Sequence, residues 1–379
     1  MQTVVRPVSK PSDLRKFIML PWKIYKNDKC WVPPLISDVK ASLDPAKNPA
    51  LGKIIHALFL AEQDGKPVGK IYAGIDTNLN AKKNMNMAFF SMFECIRDYD
   101  TARALFDTAM DWAKRNGADF MNGPCAVTGT DGDENKGLLV DCFDRPPVLM
   151  NSYNPSYYKD FIEKYGFVKD YDVYAYSMDK DTTFQKDPTK VIEYAKKRYG
   201  FRVDPINLKN IEEEIKALKY VMDKAMPSEW PDLVPPTLEE VRDMAKRLVP
   251  LALPDIIPIA RCGDEPIGFG IALPDYNEVL IRLNGRITPL AALKYLWYKR
   301  RIKCARMFVM FVIPEFRCKG VSFAIYYTAF KNALKHGFVA GEASTIGETN
   351  LRMRADIEGT GAVHYKTYRI YRKDCLKGR

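Results

Sequence analysis

At 379 residues and with an apolar fraction of 47%, the chain is long enough for two to three domains and apolar enough to pack their cores, so we expect a globular rather than a disordered protein. The first ten residues lack the apolar stretch of a signal peptide, and the longest apolar run, residues 307–314, is too short to cross a membrane, so we expect a cytoplasmic protein. Lysine and arginine outnumber aspartate and glutamate by 58 to 47, and this net charge of +11 favours an anionic partner.

Cysteine and histidine form no metal-binding pattern in the sequence. The eight cysteines are scattered without a CxxC pair, and there are only three histidines. We therefore expect no metal site. We also expect free thiols, because disulfides are typical of small secreted chains.

One segment of the first half recurs in the second half. Residues 61–69 (AEQDGKPVG) and 260–268 (ARCGDEPIG) match at a constant offset of 199 positions. In each, a strand enters an Asp-Gly or Gly-Asp turn and leaves through Pro, a β-branched residue and Gly. This pattern predicts a β-hairpin in both places.

A second recurrence joins a helix to a strand. Residues 157–176 predict a helix that ends near Gly166 and a strand that carries three tyrosines, and residues 352–371 repeat this order 195 positions later. Two matches with nearly equal offsets and the same chain order favour an internal duplication.

A polar stretch, residues 179–188, lies between the two copies and lacks apolar periodicity. We therefore place the boundary there, with one domain at residues 1–180 and the other at residues 189–379. Beyond the boundary, apolar residues at three- and four-residue spacing predict helices at residues 190–199, 208–225 and 238–248.

The second half continues with a basic segment, an apolar strand and a helix. Residues 294–306 (KYLWYKRRIKCAR) have a spacing that would leave one basic helix face. Residues 307–313 (MFVMFVI) are continuously apolar, which predicts a central strand that is covered on both faces and deeply buried. Residues 323–334 place large apolar side chains on one face of a helix, and Gly337 predicts its end.

The connection between this strand and helix, residues 314–322 (PEFRCKGVS), contains one glycine and two cations. A helix start presents unpaired N–H groups with a partial positive charge, and a glycine lets the backbone approach phosphates without a Cβ in the way. Arg317 and Lys319 add mobile positive charge. The pattern suits a pyrophosphate site, and a solvated connection in which Gly320 only shapes the turn explains the spacing equally well.

The segment Arg317–Ser322 (RCKGVS) resembles the Arg/Gln-x-x-Gly-x-Gly/Ala signature of the GNAT superfamily of acyl-CoA N-acyltransferases, with Ser322 at the last small position. Residues 157–176 and 343–371 likewise resemble the closing helix and strand of GNAT domains. Similarity to a group of bacterial GNAT-like proteins extends to residues 21–25, 31–34, 123–124 and 342–350.

This resemblance implies an α/β (α+β) fold of two tandem GNAT-like domains, each with a mixed central sheet flanked by helices. It also implies that acyl-CoA is the co-substrate, and that the second domain holds it. The residues it assigns to coenzyme A lie at the end of the strand, in the loop and at the start of the closing helix: Phe311, Val312, Ile313, Arg317, Cys318, Lys319, Gly320, Val321, Ser322 and Asn350.

The first domain departs from the signature. Its equivalent strand, residues 87–96, leads into residues 97–102 (RDYDTA), where Asp100 stands in the place of the glycine. A carboxylate there would repel a pyrophosphate, and its side chain would obstruct the backbone. We therefore expect that domain one does not bind coenzyme A in this manner.

GNAT-type transfer, in which an amine attacks the thioester directly, needs a base for the amine and polarisation of the carbonyl. The resemblance assigns the polarisation to the backbone of residues 311–313. Among the nearby carboxylates, Glu315, Glu342 and Glu348, we favour Glu342 as the base, with Glu348 second. A structurally paired or solvated glutamate is the competing explanation for each.

An acid must also protonate the leaving thiolate. Many GNAT enzymes use a tyrosine about four residues before the glycine of the closing segment, but Ile357 stands there. Tyr365 and Tyr368 could substitute for it, although tyrosines at this spacing on a strand also serve packing.

We expect an N-acyltransferase that moves an acyl group from acetyl-CoA or a longer acyl-CoA to an amine of a small molecule or peptide. Two alternatives stay open: a non-catalytic protein that binds acyl-CoA or another ligand, and a tRNA-dependent aminoacyl transferase of the peptidoglycan-bridge type. The latter would need a concentrated basic groove with stacking aromatics. The charges are dispersed along the chain, so we do not expect nucleic acid as a partner.

Overall fold

The structure is a computed structural model that describes residues 2–128, 132–227, 230 and 233–375. The chain forms two compact units, each described here by itself. Unit 1 comprises residues 1–173, 277–297 and 366–379, and unit 2 comprises residues 174–276 and 298–365. The domain limits expected at residues 180 and 189 stay a prediction.

Helices and strands are interspersed along the described residues. Up to the polar stretch they are β1 (Val4–Pro7), α1 (Pro11–Met19), α2 (Pro21–Ile24), α3 (Ile36–Ser42), β2 (Ile54–Gln63), β3 (Lys66–Asp76), α4 (Thr77–Lys83), β4 (Met87–Cys95), α5 (Tyr99–Arg115), β5 (Phe120–Gly123), β6 (Leu138–Leu139), α6 (Tyr157–Lys164) and β7 (Val168–Asp179). After it they are α7 (Thr189–Tyr199), β8 (Phe201–Pro205), α8 (Ile211–Ala225), α9 (Leu238–Leu248), β9 (Pro258–Cys262), β10 (Glu265–Pro274), α10 (Asn277–Leu280), α11 (Pro289–Lys299), β11 (Cys304–Val312), α12 (Val321–Lys335), β12 (Ala340–Gly347), α13 (Leu351–Glu358) and β13 (Val363–Asp374).

The sheet of unit 1 pairs β1 to β5 in chain order, and β13 then pairs antiparallel with β5. Neighbours from β1 to β4 are antiparallel, whereas β4 and β5 are parallel. The core lies between this sheet and α5, where the ring of Phe106 packs against Phe90 and Phe93.

The sheet of unit 2 has the order β8, β9, β10, β11, β12. The first four strands are antiparallel neighbours, and β11 and β12 are parallel. The parallel pair of β11 and β12 is the feature that positions the candidate site.

Both predicted hairpins are confirmed, as β2–β3 and β9–β10. In the first, Asp64 and Gly65 both have positive φ, at 48° and 73°, which a two-residue turn of type I′ requires. In the second, Gly263 has a φ of 57° at the first turn position. The turn residues therefore fix where each hairpin reverses.

The predicted helices after the boundary are confirmed as α7, α8 and α9. A left-handed Gly200 ends α7, and a capping box between Thr237 and Glu240 begins α9. The helix α8 begins three residues later than predicted because Leu208–Asn210 form a 3₁₀ turn. No helix of the described ranges is long and apolar enough to cross a membrane.

The prediction that residues 307–313 are deeply buried throughout was wrong for the middle of the strand. Met307, Val312 and Ile313 are buried, but residues 308–311 are only half-buried. The reason is the length of the neighbouring strand pairing: β12 is in register with β11 only up to Met307.

The aromatic face predicted on the following helix, α12, packs around one ring. Phe323, Tyr327 and Phe330 all lie within 5.4 Å of the Phe184 ring, measured between ring centroids. The other side of α12 is buried: Val321, Ala324, Ile325, Tyr326 and Ala329. The helix ends before Gly337, as predicted, and that glycine has a φ of 82°.

Candidate functional site

The parallel strands β11 and β12 separate halfway along β11. Residues 304–307 are paired with residues 340–343, and the register stops there. On its other edge β11 stays paired with β10, and the Ile313 N–H donates to the Ile267 carbonyl at 3.0 Å. Because backbone groups alternate between the two edges of a strand, the N–H of Val312 lies on the edge from which β12 has separated.

A buried ion pair lies one residue pair before the point where the pairing of the two strands stops. Arg306 on β11 is opposite Glu342 on β12, and their side chains are 0% and 2% exposed. The arginine Nε is 3.7 Å from the carboxylate Oε1. Buried charges persist only when they are paired and hydrogen-bonded, so each of these groups fixes the other.

Two hydroxyl groups complete this cluster. Ser344, also buried, donates through its Oγ to Glu342 and accepts a hydrogen bond of 2.8 Å from the Arg306 Nε. The Tyr365 hydroxyl, from the start of β13, donates to the other oxygen of Glu342. Tyr365 is half-buried, so it links the enclosed carboxylate to a more accessible position.

The predicted phosphate loop ends where α12 begins. The N-cap residue there is a glycine, which has no side chain to cap the helix. Gly320 precedes α12 with a φ of 78°, and a Cβ at this position would lie 3.0 Å from the Cβ of Ala195. Both features favour glycine. In unit 1 the corresponding helix, α5, differs, because the Asp98 carboxylate accepts a hydrogen bond from the Asp100 N–H at its start.

The two cations of the loop have different surroundings. The Arg317 side chain donates to the Val312 carbonyl at 3.1 Å and to the Ala225 carbonyl at 2.8 Å, so it is anchored and not the mobile charge that the sequence suggested. The Lys319 ammonium lies 4.9 Å from the centre of the Phe316 ring. A guanidinium has five N–H donors, so Arg317 keeps donors beyond the two that hold it.

The structure places the remaining predicted residues beside the loop and at the start of α13. The hydroxyl of Ser322 donates to the Asp356 carboxylate at 2.9 Å, and the side chain of Asn350 caps α13 by accepting from the Met353 N–H at 3.2 Å. The peptide carbonyl of Glu348 accepts from Arg354 at 3.1 Å.

Of the loop residues that flank Gly320, Val321 is buried and Cys318 is exposed with a φ of 59°. The third candidate carboxylate, Glu315, is an exposed residue of the 3₁₀ turn at Pro314–Phe316. The described ranges contain no group of three His, Cys, Asp or Glu residues arranged to hold a metal ion.

The candidates for the acid differ in their placement. Ile357 is fully buried in a helix, as its apolar side chain requires. Tyr368 is buried in unit 1, where it is paired with Leu139 on β6. Tyr365 is the tyrosine that contacts Glu342, so it joins the predicted base to a group that can carry a proton.

Sequence reasoning missed Arg306 and Ser344. An arginine directly before an apolar strand is a usable signal, because a charged residue there must find a buried counter-charge if the sheet covers it. The register that brings Arg306 opposite Glu342 is a relationship between distant segments, and spacing along the chain does not contain it.

No protein-family model matches the chain. The chain is 32% identical over 380 residues to protein YghO of Escherichia coli strain K12, across 98% of this chain and 95% of that protein. It is 29% identical over 379 residues to the bacterial ceramide synthase of Caulobacter vibrioides strain NA1000 / CB15N, across 97% of each. A solved tandem GNAT protein from the clavulanic acid biosynthesis pathway matches with a TM-score of 0.58 and 12% identity, across 100% of both chains.

Proposed function

Since the chain belongs to the family of the Escherichia coli protein YghO and has the tandem GNAT-like fold that its sequence predicted, we propose that it is an N-acyltransferase. It moves an acyl group from acyl-CoA to an amine, and the reaction takes place in unit 2. The observation that carries this proposal is the buried carboxylate of Glu342, which is bonded to the Tyr365 hydroxyl beside the point where β11 and β12 separate.

The loop before α12 binds the pyrophosphate of coenzyme A in this proposal. The start of a helix of 15 residues offers unpaired N–H groups, and Gly320 at its N-cap has no side chain that could bond to them. Arg317, anchored by two carbonyls, contributes a fixed positive charge at the same place. Lys319 adds a second cation.

The edge of β11 from which β12 has separated binds the acyl-pantetheine arm. The N–H of Val312 lies on this edge and donates to the thioester carbonyl, which stabilises the negative charge that develops on that oxygen during attack. The Ile313 N–H is already used by Ile267, so Val312 takes this role among residues 311–313.

Tyr365 and Glu342 together move the proton. As the amine nitrogen forms its bond to the acyl carbon, Tyr365 accepts a proton from that nitrogen and passes its own to Glu342. When the carbon–sulfur bond breaks, the proton returns from Glu342 through Tyr365 to the thiolate of coenzyme A. The products are an amide and the free thiol, and the side chains regain their starting state. Tyr365 is the catalytic residue of this pair, and Arg306 and Ser344 position Glu342.

The relative named bacterial ceramide synthase suggests a class of acceptor. A ceramide contains an amide between a fatty acid and a long-chain amino alcohol, so making that bond is an N-acyl transfer. In unit 2 the half-buried apolar residues 308–311 line the separated edge, and the ring of Phe311 lies 6.1 Å from that of Trp230. Such a surface suits an aliphatic chain. We therefore propose a long-chain amine as the acceptor and a fatty acyl-CoA as the donor.

A non-catalytic acyl-CoA-binding protein is the second candidate, and the 2% exposure of Glu342 favours it, because an enclosed carboxylate can serve the fold alone. The loop features would be the same in both cases. Turnover is the property that separates them.

The experiment combines binding and turnover on the purified full chain. Acetyl-CoA, octanoyl-CoA and palmitoyl-CoA are each titrated by calorimetry and then incubated with sphinganine. Free coenzyme A is quantified by chromatography, because the protein carries eight cysteines that would react with a thiol dye.

Formation of an amide with release of one coenzyme A per amide supports the enzyme. Saturable binding without any amide, repeated with a panel of short amines and amino acids, supports the binding protein. A chain that binds none of the acyl-CoAs overturns both, and activity with aminoacyl-tRNA alone would establish the peptidoglycan-bridge type instead.

A further inference from the structure

Exposed apolar side chains are concentrated on one short segment, residues 287–297. Fifteen large hydrophobic residues of the described ranges are exposed, and five of them fall within these eleven positions, each 59–68% exposed. They are Ile287, Leu290, Leu293, Leu296 and Trp297. Single exposed leucines are ordinary on a protein surface, whereas a cluster of this kind marks an interaction site.

The geometry of α11 explains why these side chains are left at the surface. At 100° per residue, Ala291, Tyr295 and Tyr298 share one side of the helix, and these three are buried or half-buried. Leu290, Leu293 and Trp297 lie on another side, whose centre is about 130° from that of the first. The side of α11 that carries Ala291, Tyr295 and Tyr298 therefore packs against the protein, and the side that carries the leucines faces outward.

The same segment carries a strong positive charge. Residues 286–303 contain six cations, Arg286, Lys294, Lys299, Arg300, Arg301 and Lys303, and no aspartate or glutamate. All six are exposed. An apolar helix side bordered by cations is the pattern of a helix that lies in the interface of a membrane with anionic lipids, where its leucines enter the acyl layer and its lysines and arginines reach the headgroups.

We propose that α11 docks this protein on the surface of a membrane that contains anionic phospholipid, with the helix axis in the plane of the membrane. Its 11 residues span about 16 Å, well below the ~30 Å of the hydrocarbon core, so it lies on the membrane and does not cross it. Trp297 sits at the headgroup level, where tryptophan is enriched.

Other occupants fit these observations less well. A second copy would bring the same cations face to face in a twofold interface, and like charges repel. Nucleic acid would match the cations but leave the four aliphatic side chains, Ile287, Leu290, Leu293 and Leu296, without a favourable contact. A membrane surface satisfies both the charge and the apolar side.

Membrane docking through α11 goes beyond the proposed N-acyltransferase function. It also has a direct consequence for how the enzyme would meet its substrates. Only four residues, 300–303, connect α11 to β11, the strand that carries Arg306 and the proposed thioester contact. A protein that is held on a bilayer would meet long-chain substrates where they dissolve, at the membrane surface.

The test is flotation of the purified full chain with vesicles. One set is phosphatidylcholine alone, and the other is phosphatidylcholine mixed with phosphatidylglycerol. The variant L293D/L296D places charges on the apolar side of α11. The matched control V168D/V191D makes the same change at two residues that are 64% and 66% exposed elsewhere in the chain. All four positions are exposed, so the substitutions leave the cores intact.

We expect the wild type and the control to float with the mixed vesicles and L293D/L296D to remain in the load fraction. The variant R300E/R301E should bind the mixed vesicles at least tenfold more weakly, since each cation near an anionic surface contributes about fivefold in affinity. Its binding to neutral vesicles should change little.

The proposal is overturned if the wild type does not float, or if L293D/L296D floats as the wild type does. It is also overturned if, without lipid, the wild type elutes from a sizing column as a concentration-dependent dimer that L293D/L296D abolishes, because α11 would then bind a second copy. These measurements do not depend on turnover, so a failure of the proposed enzyme activity leaves them interpretable.

Discussion

Arg306 and Glu342 are opposite each other on β11 and β12, one residue pair before the pairing of the two strands stops, and both side chains are buried. The two groups are 3.7 Å apart, and the Ser344 hydroxyl is bonded to both. The position of the proposed proton acceptor is therefore set by a neighbouring strand, and the catalytic role proposed for Tyr365 depends on that position.

This pair predicts a strong coupling in stability. Glu342→Leu leaves the Arg306 charge buried without its partner and should lower the free energy of unfolding by about 3–5 kcal/mol. The double variant Arg306→Met/Glu342→Leu removes both charges and should recover most of that loss. Urea denaturation of both single variants, the double variant and the wild type measures the coupling. Losses that simply add would show that the two groups do not interact.

Tyr365→Phe should lower the turnover number by about a hundredfold, because proton transfer by a positioned side chain contributes ~10²–10⁴ in rate. The affinity for acyl-CoA should be unchanged, since Tyr365 is not part of the loop before α12. Tyr327→Phe is the matched control: Tyr327 is a half-buried tyrosine of the same unit whose hydroxyl lies 3.2 Å from that of Thr189. Equal turnover in the two variants would argue against the proton route.

The loop before α12 predicts a charge effect on coenzyme A binding. Lys319→Glu reverses a charge next to the start of α12 and should weaken acyl-CoA binding by about tenfold, with a smaller effect at high salt. Lys335→Glu makes the same change at the other end of the same helix and should have little effect. Calorimetric titration of both variants at two salt concentrations checks this, and similar losses in the two would place the ligand elsewhere.

Unit 1 contains a cross-strand pair whose ionisation should affect stability. Lys70 and Glu94 are opposite each other on β3 and β4. Burial raises the pKa of Glu94 to about 7, although Lys70 and the Tyr158 hydroxyl favour its ionised form, and burial lowers the pKa of Lys70 to about 8. Between pH 4.5 and pH 7 the folded state thus keeps a proton on Glu94 that the unfolded chain has lost, so this group reduces stability as the pH rises.

Glu94→Gln removes that carboxyl. The stability of the wild type relative to this variant should therefore fall by about 2–3 kcal/mol between pH 4.5 and pH 7. Urea denaturation of both proteins at several pH values in this window gives the difference. Parallel curves for the two proteins would mean that Glu94 titrates at its ordinary pKa in the folded state.

Local chemistry made much of the fold predictable. The turns at Asp64–Gly65 and at Gly263, the stop of α7 at Gly200 and the capping box of Thr237 each depend on a few adjacent residues, and all of them lie where the sequence indicated an element or its end. The loop with Gly320 was found for the same reason, because the positive φ of a glycine before a helix is a local property.

The sequence also named Glu342 as the favoured base, but on proximity alone. It could not reveal the partners of that carboxylate, because Arg306 and Ser344 contribute through strand register and Tyr365 through the return of the chain after α13. Nor could it show that residues 308–311 are half-buried, since an apolar run has the same composition whether or not a neighbouring strand covers it.

The sequence by itself thus determined the elements, their caps and turns and the resemblance that identified the fold, because these depend on backbone preferences and periodicity within short segments. Only the tertiary structure decided where β11 and β12 separate, which charges meet in the interior and which side of α11 stays exposed. Those features arise from packing between segments far apart in the chain, where burial of a charge or of an apolar side chain is decided by its neighbours and not by its spacing.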